Sequence, residues 1–176
     1  SFYGATKLEA ERIMHWYEKI HGLTTISLRY FNVVGDVLGY IDPAAENLLP
    51  IIMEVASKKR DHLQIYGDDY ETRDGTGIRD YIDVMDLVDA HIKALALKKP
   101  AIINLGTQEG TSVKELLHIA EEVVGYPIPY QLSPRRKGDV AIVVASNQKA
   151  KELLDWQPKV PLKESVKKTW QAYKDK

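Results

Sequence analysis

Cysteine is absent from the 176 residues, which excludes disulfides, thiol catalysis and Cys-ligated zinc. No charge of one sign dominates. Twenty-four basic side chains meet 25 acidic ones, for a formal net charge of -1, so the simplest electrostatic basis for holding nucleic acid or an anionic membrane is missing. No apolar run approaches the ~20 residues of a membrane-spanning helix, and no charged-then-apolar leader opens the chain. A Gly-rich G-x-x-G-x-x-G turn after a strand, the device that cradles a dinucleotide pyrophosphate, is missing too. These absences lead to the expectation of a cytoplasmic protein with no metal, no nucleic-acid partner and no membrane partner.

What is present is ordinary globular composition, 44% hydrophobic, in a chain long enough to bury ~70% of the surface it exposes when unfolded. Apolar residues at Ile13, Trp16, Tyr17 and Ile20 fall at helical spacing within Tyr3 to His21, and Gly22 stops that helix. A β-rich segment follows from Thr25 to Phe31. Residues 33 to 46 read as a loop, 47 to 57 as a helix, and Leu63 to Tyr66 as a short strand. The stretch Gly67 to Gly77 is too rich in Gly and Asp for a regular element. Ile78 to Ile82 reads as a strand, with Asp83 capping a helix that runs to about Lys98. Ala101 to Leu105 is an apolar strand. Ser112 with Glu115 forms a capping box for a helix to Val124, closed by Gly125. Tyr130 to Leu132 and Ile142 to Ala145 read as short strands, Asn147 to Leu154 as a short helix, and a last helix starts near Pro161. Alternating helices and strands predict an α/β fold with a mostly parallel sheet.

Tyr3 and Lys7 stand one helical turn apart on one face. A free phenol with a pKa of ~10 is a poor base at neutral pH. A neighbouring ammonium favours the phenolate, so the pair is a candidate general base. Alone, such a pair is more often a solvated helix face.

The strings YGATKLEAE, LRYFNVVG and IYGDDYETRDGTGIRDYIDVMDL (Ile65 to Leu87) together resemble the extended short-chain dehydrogenase/reductases, and among them the UDP-galactose (UDP-glucose) 4-epimerases. The likeness runs to the final helix. It implies the C-terminal part of an NAD(P)-binding Rossmann-type fold with the smaller UDP-sugar-binding domain. Residues 1–35 would be the remnant of the dinucleotide-binding domain and 36–176 the sugar-nucleotide domain, with 78–107 returning to the Rossmann sheet. Because Ser1 opens inside a motif, the expectation is a C-terminal fragment of a longer, NAD-dependent parent.

The resemblance further implies residue roles. Tyr3 is matched to the active-site acid and base, Lys7 to a contact with the nicotinamide ribose, and Tyr30 to the nicotinamide side. Asn32 is matched to a UDP-sugar contact, and Asn47 with Leu48 to a helix start abutting the nucleotide sugar, where free N–H groups suit phosphate. Gln64 and Tyr66 are matched to the stretch that brackets uracil. Arg79 and Arg136 are matched to the diphosphate clamp, for which planar guanidinium forks are suited. Asp139 is matched to the ribose hydroxyls and Val143 to the sugar border. The bland alternatives are a strand end for Tyr30 and Asn32, an ordinary cap and core residue for Asn47 and Leu48, a half-buried strand aromatic for Tyr66, and surface ion pairs for the arginines.

Departures from the family pattern are few. Asp83 replaces a usual His and is the better helix cap. Val143 replaces a Tyr found in some epimerases, which implies room for an N-acetylated sugar. The implied reaction is reversible C4 inversion of a UDP-hexose. The alternatives are another sugar-nucleotide reaction (4,6-dehydration or decarboxylation) or a UDP-binding module without catalysis. Family likeness implies a homodimer through the Tyr/Lys helix, with Trp16 and Ile20 serving either that surface or the core.

Overall fold

The computed structural model describes residues 1–41 and 46–174. Its elements alternate as the sequence predicts. Helix α1 (Phe2–His21) leads to strands β1 (Ile26–Tyr30) and β2 (Asn32–Val34), then α2 (Leu48–Ala56) and β3 (Leu63–Tyr66). Strand β4 (Ile78–Asp83) runs into α3 (Val84–Ala94), followed by β5 (Ala101–Leu105), β6 (Gly110–Ser112) and α4 (Val113–Val124). The chain closes with β7 (Tyr130–Ser133), β8 (Ile142–Val143), α5 (Gln148–Leu154) and α6 (Leu162–Lys174).

Parallel pairing dominates, as in an α/β fold. β1 pairs with β5, β3 with β7, and β4 with both β2 and β8, all parallel, whereas β6 runs antiparallel to β4. Strand β4 is the hub. Its last three residues pair with β2, while its first three carry β6 and β8. The buried carboxylate of Asp80, at its centre, accepts from Thr107 N (2.8 Å) and Oγ1 (2.7 Å), Gln108 N (3.1 Å) and Ala145 N (3.1 Å). A buried charge is tolerable when its lone pairs are filled in this way, and these bonds hang the segments after β5 and β8 on β4.

Two apolar clusters flank the strands. One joins α2, β3, α4 and α6 around Ile52, Ile65, Leu116 and Val166. The other joins β4, α3, β5 and α5 around Ile82, Ile103, Leu105 and Trp156. Helix α1 belongs to neither and buries no residue. Its sequence reading left Trp16 and Ile20 open between core and surface; they are 59% and 68% exposed. The helix is tied to β1 by a two-pronged pair, Arg29 Nε to Glu11 Oε1 and Nη2 to Oε2, both at 2.6 Å.

Caps fall where the sequence puts them. Asp83 accepts from Met85 N at 2.9 Å, and its second oxygen accepts from the buried Ser165 hydroxyl at 2.6 Å. Ser112 and Glu115 close the capping box reciprocally, and Gly125 ends α4 in the left-handed region.

Several assignments differ from expectation, and the strand expected over Ile142 to Ala145 ends at Val143. Residues 33 and 34 are strand rather than loop, because β2 is held by its pairing to β4; residues 42–45 of that expected loop lie outside the described residues. Helix α3 ends at Ala94 rather than near Lys98. Tight turns from Ala96 N to Lys93 O and Leu97 N to Ala94 O replace its last turn before Pro100. Strand β6 has no apolar residue to announce it and exists through its pairing with β4.

Candidate functional site

Strand periodicity builds the site. In β3, Leu63 and Ile65 are buried, so Gln64 and Tyr66 face the other way. In β4, Ile78, Asp80 and Ile82 share one face, leaving Arg79 and Tyr81 on the opposite one. These four side chains, the start of α2 and the segment after β7 line one cavity of about 810 Å³, within the size range of small-molecule sites.

Eight of the nine sequence-predicted substrate residues meet there: Asn32, Asn47, Leu48, Gln64, Tyr66, Arg79, Arg136 and Asp139. The ninth, Val143, is half-buried in β8 and pairs in register with Arg79. Asn32 is oriented by Nδ2 donating to Asp80 O at 3.0 Å. Asn47 caps α2 through its backbone only, so its amide is not consumed by the helix, and it lines the cavity with Leu48. Gln64 Nε2 donates to Ser133 Oγ across the β3–β7 pair.

The chain has seven arginines. Five are ion-paired: Arg12 with Glu9, Arg29 with Glu11, Arg60 with Glu54, Arg73 with Glu115, and Arg135 with Asp69. Among the described residues, Arg79 and Arg136 pair with no carboxylate, and both line the cavity, together with the Glu54-paired Arg60. Arg79 is braced by Nη1 donating to Ile78 O at 2.8 Å. Arg136 stands 3.8 Å above the ring of Tyr66, a cation–π contact. Two unneutralised guanidinium groups on one concave wall favour a ligand with two negative groups.

The loop between β3 and β4 explains why DGT precedes the arginine strand. Asp74 Oδ1 accepts from Thr76 N (2.8 Å) and Oγ1 (2.7 Å), and Oδ2 accepts from Ser112 Oγ. Burial opposes ionisation of Asp74, but these hydrogen bonds outweigh it and hold the carboxyl below its ordinary range. Gly75 sits at φ +81° against the Asp68 carbonyl, where a side chain cannot fit. The knot fixes where β4 begins, and with it Arg79.

Sequence reasoning missed Tyr81, Tyr70 and Ile51, which also line the cavity. Tyr81 follows from Arg79 by strand alternation, and Ile51 from Leu48 by helical spacing. Burial pushes the Tyr81 phenol up to about 12, with Arg79 pulling the other way, so it faces the cavity as a neutral donor. The Tyr70 hydroxyl is buried without a hydrogen-bond partner among the described residues; no sequence signal announces it.

Tyr3, Lys7 and Tyr30 lie outside this lining. Tyr3 is 70% exposed near the start of α1, and Lys7 Nζ lies 5.2 Å from the centre of its ring. Tyr30, at the end of β1, bonds through its hydroxyl to His91 Nε2 at 2.6 Å, while His91 Nδ1 is 2.7 Å from Leu87 O. A carbonyl only accepts, so in the neutral ring Nδ1 carries the proton and Nε2 accepts from the phenol.

A model of the family described as GDP-mannose 4,6 dehydratase matches residues 1–169. Among curated relatives, the UDP-glucose 4-epimerase of Halalkalibacterium halodurans is 44% identical over 182 residues, covering 98% of this chain and 54% of that protein. The UDP-glucose 4-epimerase of Lacticaseibacillus casei is 45% identical over 164 residues, covering 89% of this chain and 50% of that one. The crystal structure of UDP-glucose-4-epimerase from Stenotrophomonas maltophila, with bound NAD and formylated UDP-arabinopyranose, superposes with a TM-score of 0.91 at 36% identity, over 98% of this chain and 55% of that one. The chain thus spans about half the length of the curated relatives it matches.

Proposed function

This chain belongs to the GDP-mannose 4,6 dehydratase family, and from that membership we propose that it provides the UDP-sugar pocket and the proton-transfer pair of a UDP-glucose 4-epimerase. The observation that carries the reading is the pairing census: of the three arginines that line the cavity, Arg60 is paired with Glu54, while Arg79 and Arg136, the two arginines without a carboxylate partner among the described residues, both line it. Two guanidinium forks match the two phosphates of a nucleoside diphosphate. Relatives named for UDP-glucose, at 44% and 45% identity, support uridine as the nucleoside.

In this reading Arg79 and Arg136 clamp the diphosphate, with the start of α2 at Asn47 and Leu48 adding free N–H groups. Gln64 and Tyr66 bracket uracil, and Asp139 takes ribose hydroxyls. Tyr81, kept neutral by burial, donates towards the ligand without competing as a base. Asn32 holds the hexose, and Val143 borders it with room for an N-acetyl group. Tyr3 takes the proton from the hexose 4-hydroxyl and returns it, with the Lys7 ammonium beside its ring.

The cofactor of this proposal is NAD, which the solved neighbours contain. The chemistry of the donor set fits its nicotinamide riboside end: an exposed phenol with an ammonium beside it and a second phenol held by His91. When bound, NAD supplies the hydride acceptor and donor for C4; Lys7 would hold its ribose and Tyr30 its nicotinamide side. No Gly-rich pyrophosphate turn occurs in the 176 residues, so this polypeptide by itself should hold UDP and turn over no sugar.

The same proposal includes a cytoplasmic location and a homodimer of the whole enzyme through α1, whose Ile13, Trp16, Tyr17 and Ile20 are all more than half exposed. No helix among the described residues is long and apolar enough to cross a membrane. Residues 1–35 would belong to the dinucleotide-binding domain and 36–176 to the sugar-nucleotide domain, apart from 78–107, which would return to the Rossmann sheet.

The family description names a 4,6-dehydratase, which favours that chemistry as the second reading. Titration of the polypeptide with UDP, UDP-glucose, UDP-galactose and a guanosine diphosphate sugar tests the pocket. Saturable one-to-one binding of the uridine compounds alone is expected; preference for the guanosine compound would overturn the assignment.

A further inference from the structure

Arg135 and Arg136 are adjacent in sequence and opposite in use. Arg136 lines the cavity, whereas Arg135 does not. Arg135 Nε donates to Asp69 Oδ1 at 2.6 Å, its Nη2 donates to the Asp69 main-chain oxygen, and its guanidinium lies 4.2 Å above the Tyr70 ring. The segment that carries both arginines has few other ties. The β3–β7 ladder ends with Gly67 N donating to Ser133 O at 2.7 Å, and contact with β4 resumes with Ile78 N donating to Ala141 O at 2.8 Å. Between those two bonds, the hydrogen bonds of Arg135 to Asp69 are the ones that join residues 134–140 to the rest of the described protein. The other bond there, Asp139 N to Arg136 O at 3.2 Å, is internal to the segment.

Gly67 makes this closure possible. A side chain there, at φ +81°, would come within 2.5 Å of Tyr70 Cε2 and 2.8 Å of Arg135 Cγ. Glycine leaves the space in which the tyrosine ring and the arginine stem close over the strand end.

We propose that Arg135 is a positioning residue: anchored on Asp69 and Tyr70, it holds the 134–140 segment so that Arg136 and Asp139 are presented to the diphosphate and ribose of the ligand. The inference rests on the UDP reading given above and assigns it a residue that does not line the ligand cavity. Both partners of the anchor are exposed, the side chains at 44% and 69%, and exposed pairs add little to global stability. The two-pronged fork and the ring contact add direction instead. Without the anchor, the segment must be ordered when the ligand arrives, and that ordering weakens binding. The loss should fall on the groups the segment carries, chiefly the phosphate contact of Arg136.

The test uses the native chain with Arg135→Gln and Asp69→Asn, the second of which keeps the arginine over Tyr70. Each is titrated with UDP and with uridine, and each is melted. UDP affinity is expected to fall about three- to tenfold in both variants, with melting temperature nearly unmoved. Uridine affinity should fall by a smaller factor, because uridine keeps the ribose that meets Asp139 but lacks the phosphates that meet Arg136. The double variant should be no weaker than the single ones, because both remove one anchor. Unchanged UDP affinity, or equal losses for UDP and uridine, overturns the proposal. Should Arg135→Gln fail to fold, Asp69→Asn gives the same two readings. A native chain that binds no UDP overturns the functional reading as well, whereas native binding with unaltered variants overturns this inference alone.

Discussion

The cavity wall and helix α1 are built on opposite terms. In the wall, α2 buries five of its nine residues and β4 buries five of its six, so the cavity-lining side chains of these two elements project from a backbone fixed by core on its other side. Helix α1 has 20 residues and buries none. Short isolated helices are marginal in water, and most helical stability in proteins comes from packing an amphipathic face. The lesson is that this chain organises its cavity-lining residues by itself, while the exposed Tyr3 and Lys7 owe their placement to one helix and its Glu11–Arg29 tie.

The sharpest way to break that contrast is to delete equal volumes from each region. Ile52→Ala removes a fully buried side chain of α2 and should cost about 2–5 kcal/mol. Ile13→Ala on α1, 57% exposed, should stay within about 0.5 kcal/mol. Urea unfolding of both variants checks the pair; comparable losses would show that α1 is packed after all.

Alkaline stability probes the wall next. The Tyr81 phenol is raised by burial to about 12, so it stays protonated in the folded protein at pH values where the unfolded phenol ionises. Its contribution is whole below pH ~10 and is lost as pH rises towards about 12, a drop of about 2–3 kcal/mol for this group. Unfolding curves across that window should fall more steeply for the native chain than for Tyr81→Phe. The smallest expected effect compares caps. Ser112→Ala breaks a two-way capping box in the wall and should cost about 1 kcal/mol. Ser1→Ala removes a single exposed bond to Gly4 N and should register mainly as fraying of α1, read by amide exchange.

Much of this architecture is legible in the sequence because its signals are local. Ser112 with Glu115, Gly125 and Asp83 mark helix ends through chemistry within four residues. The long string from Ile65 to Leu87 carries a resemblance that collects eight residues into one cavity. What stays hidden is set by partners far along the chain. Apart from the resemblance, which already matches Arg79 and Arg136 to a diphosphate clamp, the seven arginines look alike in sequence, and that Asp69 consumes Arg135 and Glu115 consumes Arg73 is seen only in the fold. Strand β6 is likewise a product of its pairing. Tyr81 is the exception, since alternation from Arg79 already points to it, and helical periodicity in α1 gives the stripe of Ile13, Trp16 and Ile20 without saying that no core among the described residues covers it.

The central claim is that the unpaired guanidinium groups of Arg79 and Arg136 bind a nucleoside diphosphate. The direct measurement is the affinity of UDP and of uridine for the native chain, Arg79→Gln and Arg136→Gln in one low-salt buffer. A charge-assisted hydrogen bond contributes about 1.5–3 kcal/mol, so each substitution should weaken UDP about 10- to 100-fold and leave uridine nearly unchanged. UDP affinity that survives both substitutions would contradict the account.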